Sequence, residues 1–257
     1  MGSLTEDLVS QKDEIIVLVT GFLPFRSQNT VNPSWEIAKG LPPFLPDSTF
    51  QPFDASAIAN HVPVRILVHP EPVKVAYKSV RELVPTLWEG KKIDFAIHIG
   101  MASGRQYYSV ERRGHRDGYN MKDVDGELLE DEERRKLEGK DWIWDGMPEE
   151  LLSSVDVDDV WKRWRAALPG TDVRVSEDAG RYLCDFIYFS SMAYLTKKEE
   201  ERRVVFLHVP VSADAVSVDN GIEITIELIR AMVQSDRLKK YIAARSSATS
   251  KPQEVQV

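Results

Sequence analysis

The sequence predicts an α/β fold: a mainly parallel, twisted sheet with helices on both faces, a three-layer αβα arrangement. Two observations carry this. IIVLVT (Ile15 to Thr20) and VVFLHVP (Val204 to Pro210) are continuous apolar runs rather than alternating ones, as strands covered on both faces require. Between such runs lie segments with helical periodicity and helix-end signals, which parallel strands need for their crossovers. The 257 residues, 42% hydrophobic and 29% charged, suit one large domain spanning 1–257.

In chain order, IIVLVT is the first strand. A Pro- and Asn-rich loop follows, and Ser34 to Lys39 reads as a helix that stops at Gly40. VPVRILV (Val62 to Val68) is the second strand. Pro72 opens a helical turn, and Val73 to Gly90 continues as a helix interrupted by Pro85. IDFAIHIG (Ile93 to Gly100) is the third strand. Val157, Val160, Trp161, Trp164 and Leu168 recur at helical spacing, with Asp156 as N-cap and Pro169-Gly170 as the stop. DVRVS (Asp172 to Ser176) is a short strand. The stretch LCDFIYFSSMAYL from Leu183 is apolar almost all round and reads as a buried helix. After VVFLHVP, residues Ile222, Ile226, Ile229 and Val233 mark a closing helix, and a frayed tail begins at about 246.

Charge is unevenly placed. Residues 121–170 hold 15 acidic and 8 basic residues, which accounts for nearly all of the net charge of −8. Four of the six tryptophans fall there too, so this stretch reads as an insertion folded onto the body through its aromatics. The acidic balance argues against non-specific binding to nucleic acid or to anionic membrane. A single cysteine excludes a disulfide framework, and no Cys/His spacing suits zinc. The polar, acidic start is no signal peptide, and no apolar run approaches membrane-spanning length. The expectation is a cytoplasmic protein with no cofactor, with room for a homo-oligomer.

In open parallel sheets, sites form beyond the carboxyl ends of the strands. Phe22, Phe25 and Asn32 follow the first strand, while Gly104, Arg105, Glu111 and His115 follow the third. Tyr182 and Cys184 follow DVRVS, and His208 closes the last strand. A carboxylate, a thiol and an imidazole thus map to one edge, the composition of a Cys-His nucleophilic site with a third group to orient the base. Each member also has a plain structural reading. A lone cysteine is commonly a small buried hydrophobe. Cys184, however, follows a glycine-containing loop and opens a helix, whose N-terminus would favour the thiolate. His98 is nearer mid-strand and reads as structural. His115 competes as base, and Glu111, beside Arg112 and Arg113, is alternatively a solvated loop charge. There is no dinucleotide fingerprint, Walker loop, GxSxG elbow or HExxH. Asp123 and Asp125 resemble the start of a calcium loop whose remainder is absent.

Four blocks resemble a known family, pyroglutamyl peptidase type I, and the animal members in particular: VTGFLPFRSQNTVNPSW, HIGMASGRQYYSVERRGHRDGY, DAGRYLCDFIYFSS and FLHVP. They stand in the family's order between residues 15 and 210. The resemblance implies a phosphorylase/hydrolase-like fold and a cysteine exopeptidase that removes an N-terminal pyroglutamyl residue through a thioacyl-enzyme. It makes Cys184 the nucleophile, His208 the general base and acid, and Glu111 the orienting carboxylate. Phe22 and Phe25 match the aromatic pair flanking the pyroglutamyl ring, Asn32 matches a pocket residue, and Tyr182 is a further wall. The chain departs from the pattern at Arg26 and Ser27, where many members have glycines, and at Met101, where bacterial relatives have glutamine. Two other readings are a phosphate- or nucleoside-handling α/β enzyme with Cys184 incidental, and a non-catalytic pyroglutamyl-peptide binding protein.

Overall fold

A computed structural model describes residues 14–25, 30–47 and 62–249. Among the described residues eight strands are present: β1 (Ile15–Thr20), β2 (Val64–Val68), β3 (Phe95–Met101), β4 (Tyr108–Glu111), β5 (Arg113–His115), β6 (Glu150–Leu152), β7 (Val173–Ser176) and β8 (Val204–Val209). The α-helices are α1 (Pro33–Gly40), α2 (Tyr77–Trp88), α3 (Asp131–Glu138), α4 (Val157–Ala167), α5 (Leu183–Lys197) and α6 (Ala215–Thr249).

The main sheet has six strands in the order β2-β1-β3-β8-β4-β7. Strands β2, β1, β3 and β8 are parallel, whereas β4 runs antiparallel to β8 and carries β7 parallel to itself. The chain leaves β1 first towards β2 and later returns to its other side as β3, so a crevice opens between the ends of β1 and β3. One face of the sheet is covered by α1, α4 and α6 through residues such as Ile37, Trp164 and Leu228. The other is covered by α2 and α5 through Val80, Phe186 and Phe189. This is the expected three-layer arrangement. The strands at its centre, β3 and β8, are buried along their whole length, which is why their sequences do not alternate.

Several local expectations are corrected. The second helix starts at Tyr77, not at Pro72, because Val73 pairs with Phe22 in a bridge that pins the loop after β1. Its first turn is capped from a distance: the Tyr77 backbone N–H donates to Asp123 Oδ2 at 3.0 Å. Pro85 sits inside this helix without ending it. The segment after β3, read as loop, contains β4 and β5, two strands too short for periodicity to reveal. The closing helix begins at Ala215 and has 35 residues, so residues 246–249 are helical and not frayed, and 250–257 lie outside the described residues. Asp214 starts it by accepting from the Ser217 N–H and hydroxyl at 3.1 and 2.6 Å.

The acidic span 121–170 is divided between both layers. Trp142 and Trp144 are buried on the α5 face, where Trp144 meets Phe186 at a tilt and Phe189 edge-on, with centroids 5.3 and 4.8 Å apart. Trp161 and Trp164 belong to α4, which lies in the crossover joining the parallel strands β4 and β7. Their indoles donate to the backbone carbonyls of Val173 and Ile224, each at 2.9 Å. Arg26 and Ser27 lie outside the described residues.

Candidate active site

The site is built on the adjacent strands β3, β8 and β4. In the β3–β8 register Gly100 lies directly beside His208, and in the β8–β4 register Ser109 lies opposite His208. Glu111 is two residues further along β4, on the same face, and so is a diagonal neighbour within reach of a long side chain. Its Oε1 meets His208 Nδ1 at 2.7 Å. Both residues are buried, Glu111 completely. Glu111 is therefore a strand residue turned inward rather than a loop charge. Strand alternation sends Arg112 outward to Asp158 and Glu177, and Arg113 pairs with Glu150 and Glu177.

Cys184 is the second residue of α5, at its N-terminal turn. A Cβ placed on Gly100 would lie 2.9 Å from Cys184 Sγ and 2.5 Å from Phe206 Cζ. The sulfur thus rests on the strand beside His208 in space that only glycine leaves open. The Phe206 and His208 rings are 4.6 Å apart and tilted, which closes the inner side of the imidazole. Cys184 is partly exposed. Its backbone N–H belongs to the first turn of α5, where amide groups lack intrahelical partners and are available to an anion.

Electrostatics correct one expectation. Burial pushes the Cys184 thiol up to about 12, and the Glu111 and Asp185 carboxylates add to the rise, outweighing Arg105. Burial and these carboxylates therefore oppose the thiolate that the helix N-terminus favours. Burial would also raise the Glu111 carboxyl, but the His208 hydrogen bond, with Ser176 and Arg105 assisting, holds it below the ordinary carboxylate range. The buried Oε2 of Glu111 makes no hydrogen bond of standard length among the described residues.

Over this group lies a cleft of about 360 Å³ whose floor includes Cys184 and His208. Phe22, Phe25, Met101, Met121 and Tyr182 line its walls. Phe25 and Tyr182 face each other at 6.1 Å, and the Tyr182 hydroxyl donates to the Lys122 carbonyl at 3.2 Å. Asn32, Ser103, Arg105 and Asp178 add polar groups to this aromatic and apolar lining, a combination that suits a flat, neutral ring with a few hydrogen-bonding atoms.

A family model for pyroglutamyl peptidase matches residues 15–235. The chain belongs to the pyroglutamyl peptidase family. Human pyroglutamyl-peptidase 1 is 31% identical over 195 residues, covering 76% of this chain and 78% of that protein. Pyrrolidone-carboxylate peptidase of Thermococcus kodakarensis is 28% identical over 225 residues, 83% of this chain and 95% of that one. The crystal structure of pyrrolidone carboxyl peptidase from Pyrococcus furiosus superposes with a TM-score of 0.62 at 24% identity, covering 88% of this chain and 99% of that one. The Thermococcus litoralis enzyme gives 0.64 at 18% identity, covering 95% and 99%. At those identities the two structures speak for the fold, and they bear out the three-layer expectation.

Placed within this pyroglutamyl peptidase fold, all eight site residues expected from sequence meet at one place: seven line the cleft, and Glu111 stands behind His208. Asn32 is largely committed to structure. Its Oδ1 accepts from the Ser34 N–H and hydroxyl at 3.1 and 2.9 Å as the N-cap of α1, and its Nδ2 donates to the Leu23 carbonyl at 3.0 Å. Through Ser34, whose hydroxyl accepts from Phe22 N–H, it fixes the Phe22 loop.

His115 does not line the cleft. It is buried against Asp185, 3.3 Å from Nδ1, in a cluster with Tyr119. His98 is wholly buried, bridging Thr20 and Ser191 at 2.8 and 2.9 Å, as its mid-strand position suggested. Asp123 spends its carboxylate on the backbone N–H groups of Tyr77, Asp125 and Glu127, so the calcium-like fragment is a turn and helix cap. Sequence reading placed Arg105 after the third strand but gave it no role, and it missed Met121. The Arg105 guanidinium is one of the best-connected groups of the site.

No helix among the described residues is long and apolar enough to cross a membrane.

Proposed function

We propose that this chain is a cysteine omega peptidase that hydrolyses the N-terminal pyroglutamyl residue from peptides. The observation that carries the reading is the convergence of Glu111, His208 and Cys184 beneath a cleft walled by Phe22, Phe25 and Tyr182. The lactam ring occupies the aromatic part of the cleft, between Phe22, Phe25 and Tyr182. Glu111 holds the imidazole through Nδ1, which leaves Nε2 for proton transfer. His208 takes the Cys184 proton as the sulfur attacks the pyroglutamyl carbonyl, so the nucleophile is generated in the attack. Backbone N–H groups at the start of α5 receive the developing oxyanion. The imidazolium then protonates the departing amine and leaves the thioacyl-enzyme. Water deprotonated by His208 attacks that thioester, releasing pyroglutamate and the thiol.

A cytoplasmic setting accords with a single catalytic thiol, which needs a reducing compartment. The test is hydrolysis of pyroglutamyl-aminomethylcoumarin beside the prolyl analogue, before and after alkylation with iodoacetamide at alkaline pH. Turnover confined to the pyroglutamyl compound and lost on alkylation supports the reading, since Cys184 is the only thiol. Ligand binding without turnover would make the chain a binding protein.

A further inference from the structure

Resting on that reading, we infer that Arg105 is a positioning residue of the reaction: it holds the Glu111–His208 pair and the loop leading to Cys184 in one geometry. Its NH1 donates to Glu111 Oε1 at 2.5 Å and to Ser109 Oγ at 2.6 Å, and stands 3.5 Å from His208 Nδ1. Its NH2 donates to the Asp178 carbonyl at 2.9 Å. One planar fork therefore spans β4, β8 and the segment between β7 and α5. Arg105 and His208 share a single oxygen of Glu111, while the other oxygen makes no hydrogen bond of standard length among the described residues.

The carboxylate serves one standing cation, the Arg105 guanidinium, and one that forms in the reaction, the His208 imidazolium. With His208 alone it would stabilise the imidazolium strongly, making the histidine a poor acid for the leaving amine. The guanidinium offsets part of that charge and opposes protonation of the imidazole 3.5 Å away. A fork that bonds two segments at once is a geometry lysine cannot reproduce. Among the described residues, the charged and titratable groups around the Glu111–His208 pair are Arg105 from the β3–β4 loop, and Cys184 and Tyr188 from α5, the Tyr188 hydroxyl donating to the Glu111 carbonyl at 3.0 Å. Asp178 directs its carboxylate to Arg181 and the Gly180 N–H, and Asp185 turns to His115 and Tyr119. Strand β3 contributes only Gly100 at this level, and Phe206 contributes a neutral ring.

The experiment compares wild type, Arg105→Gln, Arg105→Lys and Glu111→Gln with pyroglutamyl-aminomethylcoumarin across pH, with folding checked by thermal unfolding. A parallel NMR titration follows the His208 imidazole without substrate. Arg105→Gln is expected to lower kcat by roughly 10–100-fold through misplacement and to move the acid limb of kcat/KM to higher pH by about one unit. Glu111→Gln moves that limb the opposite way. Arg105→Lys keeps the limb near wild type but recovers only part of kcat. A folded Arg105→Gln with unchanged kcat, limb and imidazole titration overturns the inference. Should that variant not fold, full wild-type kcat in Arg105→Lys does so.

Failure of the parent reading is distinguishable. It shows as a wild type without turnover or a Cys184→Ala variant that keeps it, and the imidazole titration still decides whether Arg105 acts on His208.

Discussion

Cys184 Sγ lies 2.9 Å from where a Cβ on Gly100 would stand, so the absent side chain of one strand residue is the seat of the sulfur. Because Gly100 also pairs with His208, the same vacancy places thiol and imidazole side by side. Gly100→Ala must displace the Phe206 ring and the sulfur. The expected result is a kcat loss of about 100-fold, since misplacement of that size is enough, with about 1–3 kcal/mol of overpacking in the unfolding free energy. Kinetics together with denaturant unfolding check both.

Cys184→Ser should abolish turnover and leave the thermal unfolding midpoint within a few degrees of wild type. The hydroxyl fits the space but is a far weaker nucleophile with this base. Rates near wild type would remove Cys184 from the chemistry.

The two histidines near Glu111 in sequence and space are told apart by their partners. His208→Ala should lose roughly 10²–10⁴-fold in kcat, the usual contribution of general acid–base catalysis. His115→Ala should change kcat less than tenfold and instead lower stability by about 1–3 kcal/mol, because Asp185 loses a hydrogen-bond partner in a buried setting. The reverse ranking in paired kinetic and unfolding measurements would exchange their roles.

His98 ties stability to pH. Burial lowers its pKa from 6.5 to about 3, so the folded protein keeps this imidazole neutral where the unfolded chain takes up a proton. The associated stability is fully present above about pH 6.5 and is lost as pH falls towards 3. At pH 5 the loss should be about 2 kcal/mol relative to neutral pH. A His98→Gln variant should lack this increment of pH dependence, as denaturant melts at pH 7 and pH 5 would show.

Most of the architecture was legible because its strands are buried on both faces and announce themselves as uninterrupted apolar runs; β1, β3 and β8 are examples. Strands β4 and β5 were not, since three or four residues fall below any periodic signal. That omission hid the antiparallel turn of the sheet and made Glu111 look like a loop residue. The convergence of Cys184, His208 and Glu111 was readable from their order along the chain and from motif resemblance. The state of the thiol was not, because the helix N-terminus can be read locally, whereas burial and the carboxylates of Glu111 and Asp185 arise only on folding. The role of Arg105 escaped for the same reason: its partners Ser109, Glu111, His208 and Asp178 come together only in the folded chain.

The central claim, a thioacyl-enzyme on Cys184, is tested most directly by rapid acid quench of the protein with a pyroglutamyl substrate, followed by peptide mass spectrometry. The account predicts a mass increase of one pyroglutamyl group on the Cys184 peptide, absent with the prolyl analogue and in Cys184→Ser. Turnover with no modified Cys184 at any quench time, persisting in Cys184→Ser, would contradict it.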